Sequence, residues 1–198
     1  MSNLKDVFRE AARREFENVP NEEDLDWSFS EAFLLKTQQC FPFLPLQNPI
    51  TKKRCFFIGH RDTPSTVLME LENAISHCIA QYGISEFVVG QYGDFDRMAA
   101  DAIRKLKQED NQLSLLLLLP YHPSKHPIEL PAGFDNSIYP EGLEMVSKKL
   151  AIVHANRKTI DSCDLIIAYA NGSGNASSFV NYAKKRSVPV INLADRLL

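Results

Sequence analysis

The sequence predicts an α/β domain of Rossmann-like, three-layer form: a parallel sheet of about five strands with helices on both faces, preceded by an N-terminal helical and irregular extension. Three observations carry this expectation. From Arg54 onward, short apolar runs alternate with amphipathic segments, which is the rhythm of successive βαβ units. The run 113–119 is apolar almost throughout, as a strand buried on both faces should be. Glycines and polar residues gather in the turns that follow the strands, where an open parallel sheet places its ligands.

Residues 1–50 form the extension. Leu4, Val7, Phe8, Ala11 and Phe16 recur at helical intervals among charges, and Pro20 stops that helix. Residues 22–49 are irregular, with Trp27, Phe29, Phe33, Phe41 and Phe43 set among prolines, an arm suited to laying aromatic side chains on the main domain or on a partner. The domain itself takes 51–198. Its first strand is Cys55-Phe56-Phe57-Ile58, followed by a helix over 64–82 that opens with proline and carries Val67, Leu68, Leu71, Ile75 and Ile79 as one stripe. The second strand is Glu86-Phe87-Val88-Val89, and its helix, 95–107, shows Phe95, Met98, Ala99, Ala102, Ile103 and Leu106 on one side. After the third strand a long connection covers 120–149. A helix over 151–162, a fourth strand Leu165-Ile166-Ile167-Ala168, a glycine-containing turn, a further helix to Arg186 and a fifth strand Val188-Pro189-Val190-Ile191 complete the chain.

Composition narrows the function. The 198 residues carry a net charge of -3, with lysines and arginines scattered, so the balance argues against nucleic acid as a partner. No apolar run approaches the length of a bilayer span and no leader pattern opens the chain, which points to no membrane partner and a cytoplasmic location. Cys40, Cys55, Cys78 and Cys163 are widely spaced without a CxxC pair, as reduced thiols of a cytoplasmic protein would be. A homo-oligomer through an apolar helix face is compatible with the pattern.

The four connections at the carboxyl edge are 59–63, 90–96, 120–149 and 170–175. In the first, Gly59 permits a tight turn, His60 offers a hydrogen bond and Arg61 can hold phosphate bidentately; the plainer alternative pairs Arg61 with a surface acid and leaves Asp62 or Thr63 to cap a helix. In the second, Gly90 and Gly93 bring backbone close to a ligand, Asp94 is the expected N-cap, and Asp96 is left for a ribose hydroxyl. In the fourth, Gly172, Ser173 and Gly174 precede a helix N-terminus and can cradle phosphate, or merely connect. Ile152, Asn156, Ile160 and Cys163 share a helical stripe, which sets polar Asn156 on the inner face with Arg157 beside it, near the site or satisfying a buried backbone group. In the long connection Tyr121, His122, His126, Tyr139 and Glu141 could close as a lid. His122 and His126 lack a carboxylate or cysteine at a recognisable interval, so no metal site is expected.

The ordered segments Phe56-Phe57-Ile58-Gly59-His60-Arg61, Gly90-Gln91-Tyr92-Gly93-Asp94-Phe95-Asp96, Tyr139-Pro140-Glu141-Gly142-Leu143-Glu144, Asn156-Arg157 and Ser162-Cys163-Asp164 resemble a bacterial group of the SLOG superfamily, the YpsA-like branch once filed as a domain of unknown function (DUF1273-like). The resemblance covers about residues 54–193. It implies a Rossmann-like fold and a nucleotide or nucleotide-derived ligand near Gly59, Arg61, Gly90, Gly93, Asp96, Asn156 and Gly174; the superfamily also holds DprA and the LOG phosphoribohydrolases. LOG enzymes carry a PGGxGTxxE turn whose glutamate is catalytic, and Ser178 stands at the matching place here, so that mechanism is not implied.

Three functions are carried forward. The first is a module that binds or senses a nucleotide-like ligand, with no other cofactor expected. The second is an N-glycosidic or phosphoester hydrolase in which Asp96 or Glu141 acts as base. The third is an interaction domain on a nucleotide-type fold.

Overall fold

The computed structural model describes residues 52–125 and 127–196. The expected N-terminal helix, the aromatic arm, Cys40 and His126 lie outside the described residues. Six strands are present among them: β1 (Lys53–Gly59), β2 (Ile84–Val89), β3 (Ser114–Leu118), β4 (Asn136–Ile138), β5 (Leu165–Tyr169) and β6 (Val190–Asn192). The helices are α1 (Leu68–Tyr82), α2 (Asp94–Glu109), α3 (Lys148–Asp161) and α4 (Asn175–Lys185). All neighbouring strands run parallel, in the order β4-β3-β2-β1-β5-β6.

Strand alternation splits the core into two faces. Cys55 and Phe57 of β1 point to a cluster filled by Leu71, Ile75 and Cys78 of α1 and by Phe95, Ala99 and Ile103 of α2. Phe56 and Ile58 point the other way, to Ala155 and Ile160 of α3 and Ala176, Val180 and Ala183 of α4. This is a helix–sheet–helix sandwich, and each fully buried Phe, Leu or Ile contributes about 1.5–3 kcal/mol through removal from water. The thiols of Cys55 and Cys163 are pushed up by burial, that of Cys163 to about 12, so neither is a nucleophile near neutral pH.

The sheet differs from the expected one by a strand. Asn136-Ser137-Ile138 shows no alternation to betray it, yet it pairs with Leu116, Leu117 and Leu118 at the sheet edge. Asp135 anchors it, accepting the Leu115 amide at 2.7 Å and binding the Lys107 ammonium. At the other edge β6 starts at Val190 rather than Val188, because the Val188 amide still closes the end of α4 on the Ala183 carbonyl at 3.0 Å. A 3₁₀ turn, Ser65–Val67, precedes α1, so that helix begins well beyond the end of β1.

Strand order reverses between β1 and β5. The chain steps outward from β1 through β2 and β3 to β4, then returns through α3 to the opposite side of β1. The carboxyl ends of β1 and β5 therefore flank the crevice in which open α/β sheets bind ligands.

Candidate functional site

A cleft of about 360 Å³ opens at that crevice. Its floor is the ends of β1 and β3 with Ile58 and Leu118, one wall is α3 with Ile152 and Asn156, and another is the start of α4 with Asn175, Ala176 and Phe179. The turns 59–61 and 90–93 close the remaining side.

These two turns are pressed together, and glycine makes the contact possible. A Cβ on Gly59 would stand 2.2 Å from Cγ of Phe95, whose ring lies between Phe57 (centroids 6.4 Å apart) and Tyr169 (6.4 Å). A Cβ on Gly93 would stand 2.8 Å from the Cα of Arg61, and the adjoining Asp94 amide donates to the Arg61 carbonyl at 2.7 Å. On the other flank, His60 Nε2 lies 3.1 Å from both the amide nitrogen and the carbonyl oxygen of Asn171, a contact that joins the turn after β1 to the turn after β5.

Asp96 works differently from the expectation. The residue at the N-cap of α2 is Gly93, without a side-chain cap, and Asp94 in the first turn pairs with Arg97 at 2.9 Å. It is Asp96 that reaches back, accepting the Tyr92 amide at 3.0 Å, in the manner of the third-residue acid of a capping box. Its Oδ2 fills the space that a Cβ on Gly90 would need, at 2.7 Å. Burial pushes the Asp96 carboxyl up to about 6, against the amide bonds from Tyr92 and Gly93 that pull it down. Asp96 therefore has the structural need that the sequence reading reserved for Asp94.

Arg61 has the opposite character. Its side chain is exposed, lines the cleft, and makes no hydrogen bond or ion pair with any described residue. Among the described residues no acid holds Arg61, and Thr63 closes the turn on the His60 carbonyl at 2.8 Å, while the 3₁₀ turn that follows has Pro64 at its N-cap. Arg61 is the one arginine or lysine among the described residues that line this cleft. The first residues of α4 line the same cleft, and its N-cap, Gly174, supplies no side-chain cap to the first-turn amides.

The cleft gathers Gly59, His60, Arg61, Gly90, Gly93, Asp96 and Asn156 of the expected set. Asn156 is tied to its own helix, with Nδ2 donating to the Ile152 carbonyl at 2.7 Å. Several expected residues stand elsewhere. Arg157 turns outward, its guanidinium 5.3 Å above the Tyr182 ring. Gly172, Ser173 and Gly174 shape the turn into α4 but do not line the cleft, and the Ser177 and Ser178 hydroxyls bind back to the carbonyls of Gly172 and Gly174. Tyr121 and Glu141 also lie off the cleft, Glu141 being exposed, and His122 and Tyr139 contact one another edge to face at 5.0 Å. Tyr92, Asn175 and Phe179 all line the cleft; sequence reasoning missed Phe179 and took Tyr92 and Asn175 only as members of their turns. Asn175 and Phe179 were within reach of it, being one turn apart at the head of the last helix.

No protein-family model matches the chain, and no curated protein matches it either. Among solved structures it is similar to the molybdenum cofactor binding protein of the phototrophic bacterium Rippkaea orientalis, at 19% identity over 75% of this chain and 83% of that one, with a TM-score of 0.49. The Moco carrier protein of Chlamydomonas reinhardtii gives 20% identity over 72% of this chain and 76% of that one, with a TM-score of 0.47. DNA processing protein A of Helicobacter pylori gives 16% over 73% and 71%, with a TM-score of 0.47, and its structure is described for its single-stranded DNA binding mode. That last structure corrects one expectation. A net charge of -3 does not exclude nucleic acid, because strand binding needs cations only where the strand lies, and a whole-chain sum does not report their placement.

Proposed function

We propose that this SLOG-like domain binds a phosphate-bearing, nucleotide-like small molecule in the cleft beyond β1 and β5, and acts as a binding or sensing module. The observation that carries the reading is the pairing of an unengaged guanidinium, Arg61, with the uncapped first turn of α4 across one cleft. Both attract anions, and both sit at the strand-order reversal. The apolar side chains of Ile58, Leu118, Ile152 and Phe179 give a base or other ring a surface to lie on. A cytoplasmic location fits Cys55 and Cys78 being buried in the core as thiols rather than joined in a disulfide.

A hydrolytic reading has one observation in its favour. Asp96 is the one carboxylate lining this cleft among the described residues, and its carboxyl is pushed up to about 6, where an acid–base group works near neutrality. Its tie to the Tyr92 amide is a structural employment that needs no chemistry, so binding is the preferred function.

The test is a thermal-shift screen of nucleoside mono-, di- and triphosphates, NAD and ADP-ribose against the intact chain and Arg61→Ala. A ligand that binds only the native state raises the melting temperature. A selective rise that disappears in Arg61→Ala supports the reading, and a rise unchanged by the substitution sends the ligand elsewhere.

A further inference from the structure

A second cavity of about 430 Å³ opens beyond β2 and β3, on the face covered by α1 and α2, against Ala100 and Phe134. Arg61, Gly90, Tyr92, Gly93 and Asp96 line both cavities, so the two hollows adjoin over the 90–93 turn. Two of the three arginines that line the second cavity already have acid partners. Arg97 is paired with Asp94 at 2.9 Å. Arg104 is paired with Asp101 at 2.5 Å, donates to the Ala132 carbonyl at 2.9 Å, and lies 5.2 Å over the Phe134 ring. With those two arginines paired, Arg61 is, among the described residues, the arginine without an acid partner in the second cavity as in the first. An anion on Arg61 therefore has a hollow on either side of it. The other groups of the second cavity, the Asp62 carboxylate, the Gln91 amide and the Phe134 ring, suit hydroxyls and a flat ring rather than a further anion.

We infer that the ligand is two-headed: a nucleotide head in the first cleft, a phosphate or pyrophosphate link at Arg61, and a sugar or second heterocycle in the second cavity. This is the chemistry of a nucleoside diphosphate sugar or a dinucleotide. The inference rests on the reading of the first cleft as a nucleotide site. Size agrees with it, since each hollow alone sits near the lower end of the roughly 300–1,000 Å³ of small-molecule sites, and the two together hold a larger ligand.

The experiment is titration calorimetry on the intact chain with AMP, GMP and UMP, each beside ADP-ribose, GDP-mannose or UDP-glucose of the same base. At least one two-headed compound is expected to bind ten-fold or more tightly than its monophosphate. Pro131→Trp, at an exposed residue that lines only the second cavity, should erase that advantage and leave the monophosphate affinity unchanged; Gln91→Ala should reduce it several-fold. Equal affinity for the two members of every pair overturns the two-headed ligand while leaving the nucleotide site intact. An advantage that survives both variants overturns the placement of the second head. Failure of all six compounds to bind overturns the nucleotide reading, and this inference with it.

Discussion

The Cα of Arg61 occupies the space beside Gly93 so closely that any side chain at 93 would come within 2.8 Å of it. Arg61 is thus aimed by a backbone contact, reinforced by the 2.7 Å bond from the Asp94 amide to its carbonyl. Gly93→Ala should push the two turns apart, lowering stability by about 1–3 kcal/mol and weakening the ligand beyond what the stability loss explains. Urea unfolding and calorimetry on the same variant separate the two effects. A Gly93→Ala protein with unchanged affinity would show that the contact does not aim the guanidinium.

Arg61→Ala should do the reverse. The side chain is exposed and unpaired, so its removal should leave the unfolding midpoint within experimental scatter. A charged hydrogen bond is worth about 1.5–3 kcal/mol, which corresponds to roughly a ten- to hundred-fold loss of affinity. Arg61→Lys should recover part of it, because the charge returns without the fork that meets two phosphate oxygens.

Gly59→Ala should be the more damaging glycine substitution, since the intruding carbon meets the buried Phe95 ring at 2.2 Å rather than a surface turn. A loss of about 3 kcal/mol or more is expected, read as a fall in urea midpoint. Pairing it with Phe95→Leu should return part of that loss, and simple addition of the two single effects would contradict the contact.

Asp96 makes stability depend on pH with a definite sign. Burial pushes its folded-state carboxyl up to about 6 from an ordinary 3.8, so the folded protein holds this proton more tightly than the unfolded chain. The stabilisation is fully present below about 3.8 and is lost as pH rises through about 6. At about 1.4 kcal/mol per pH unit this amounts to about 3 kcal/mol. Asp96→Asn keeps an oxygen for the Tyr92 amide and removes the titration. The variant should gain on the wild type between pH 4 and pH 7, after which the difference between them should stay constant. Parallel curves would mean that Asp96 is not desolvated in the folded protein. The same variant decides the hydrolytic reading, which requires that turnover vanish while binding survives.

The order of strands and helices could be read from the chain because the clues were local. Phe56 and Ile58 alternate against Cys55 and Phe57, and the stripe on α2 from Phe95 to Leu106 repeats every three or four residues. The strand β4 escaped because three residues carry no period, and it is held by Asp135, Lys107 and the backbone of β3. The glycine turns after β1 and β2 could be located from the rule for parallel sheets. Their division of labour could not, because which acid caps α2 depends on how the chain enters the helix, and Asp94 and Asp96 are equally good acids on paper. Arg157 failed for a related reason: one position along α3 turns a side chain by about 100°, enough to take it from the cleft to the Tyr182 ring.

The bond between His60 and the Asn171 amide spans 111 residues, and the head of α4, which lines the cleft with Arg61, follows shortly after it. During synthesis, β1 to β3 with α1 and α2 emerge and can pack long before α4 leaves the ribosome. The cleft is therefore among the last features the nascent chain completes. A messenger cut short before α4 would yield a chain that keeps Arg61 and α3 but lacks the Asn175, Ala176 and Phe179 side of the cleft, so a ligand added to the growing chain could guide only the closing steps of folding.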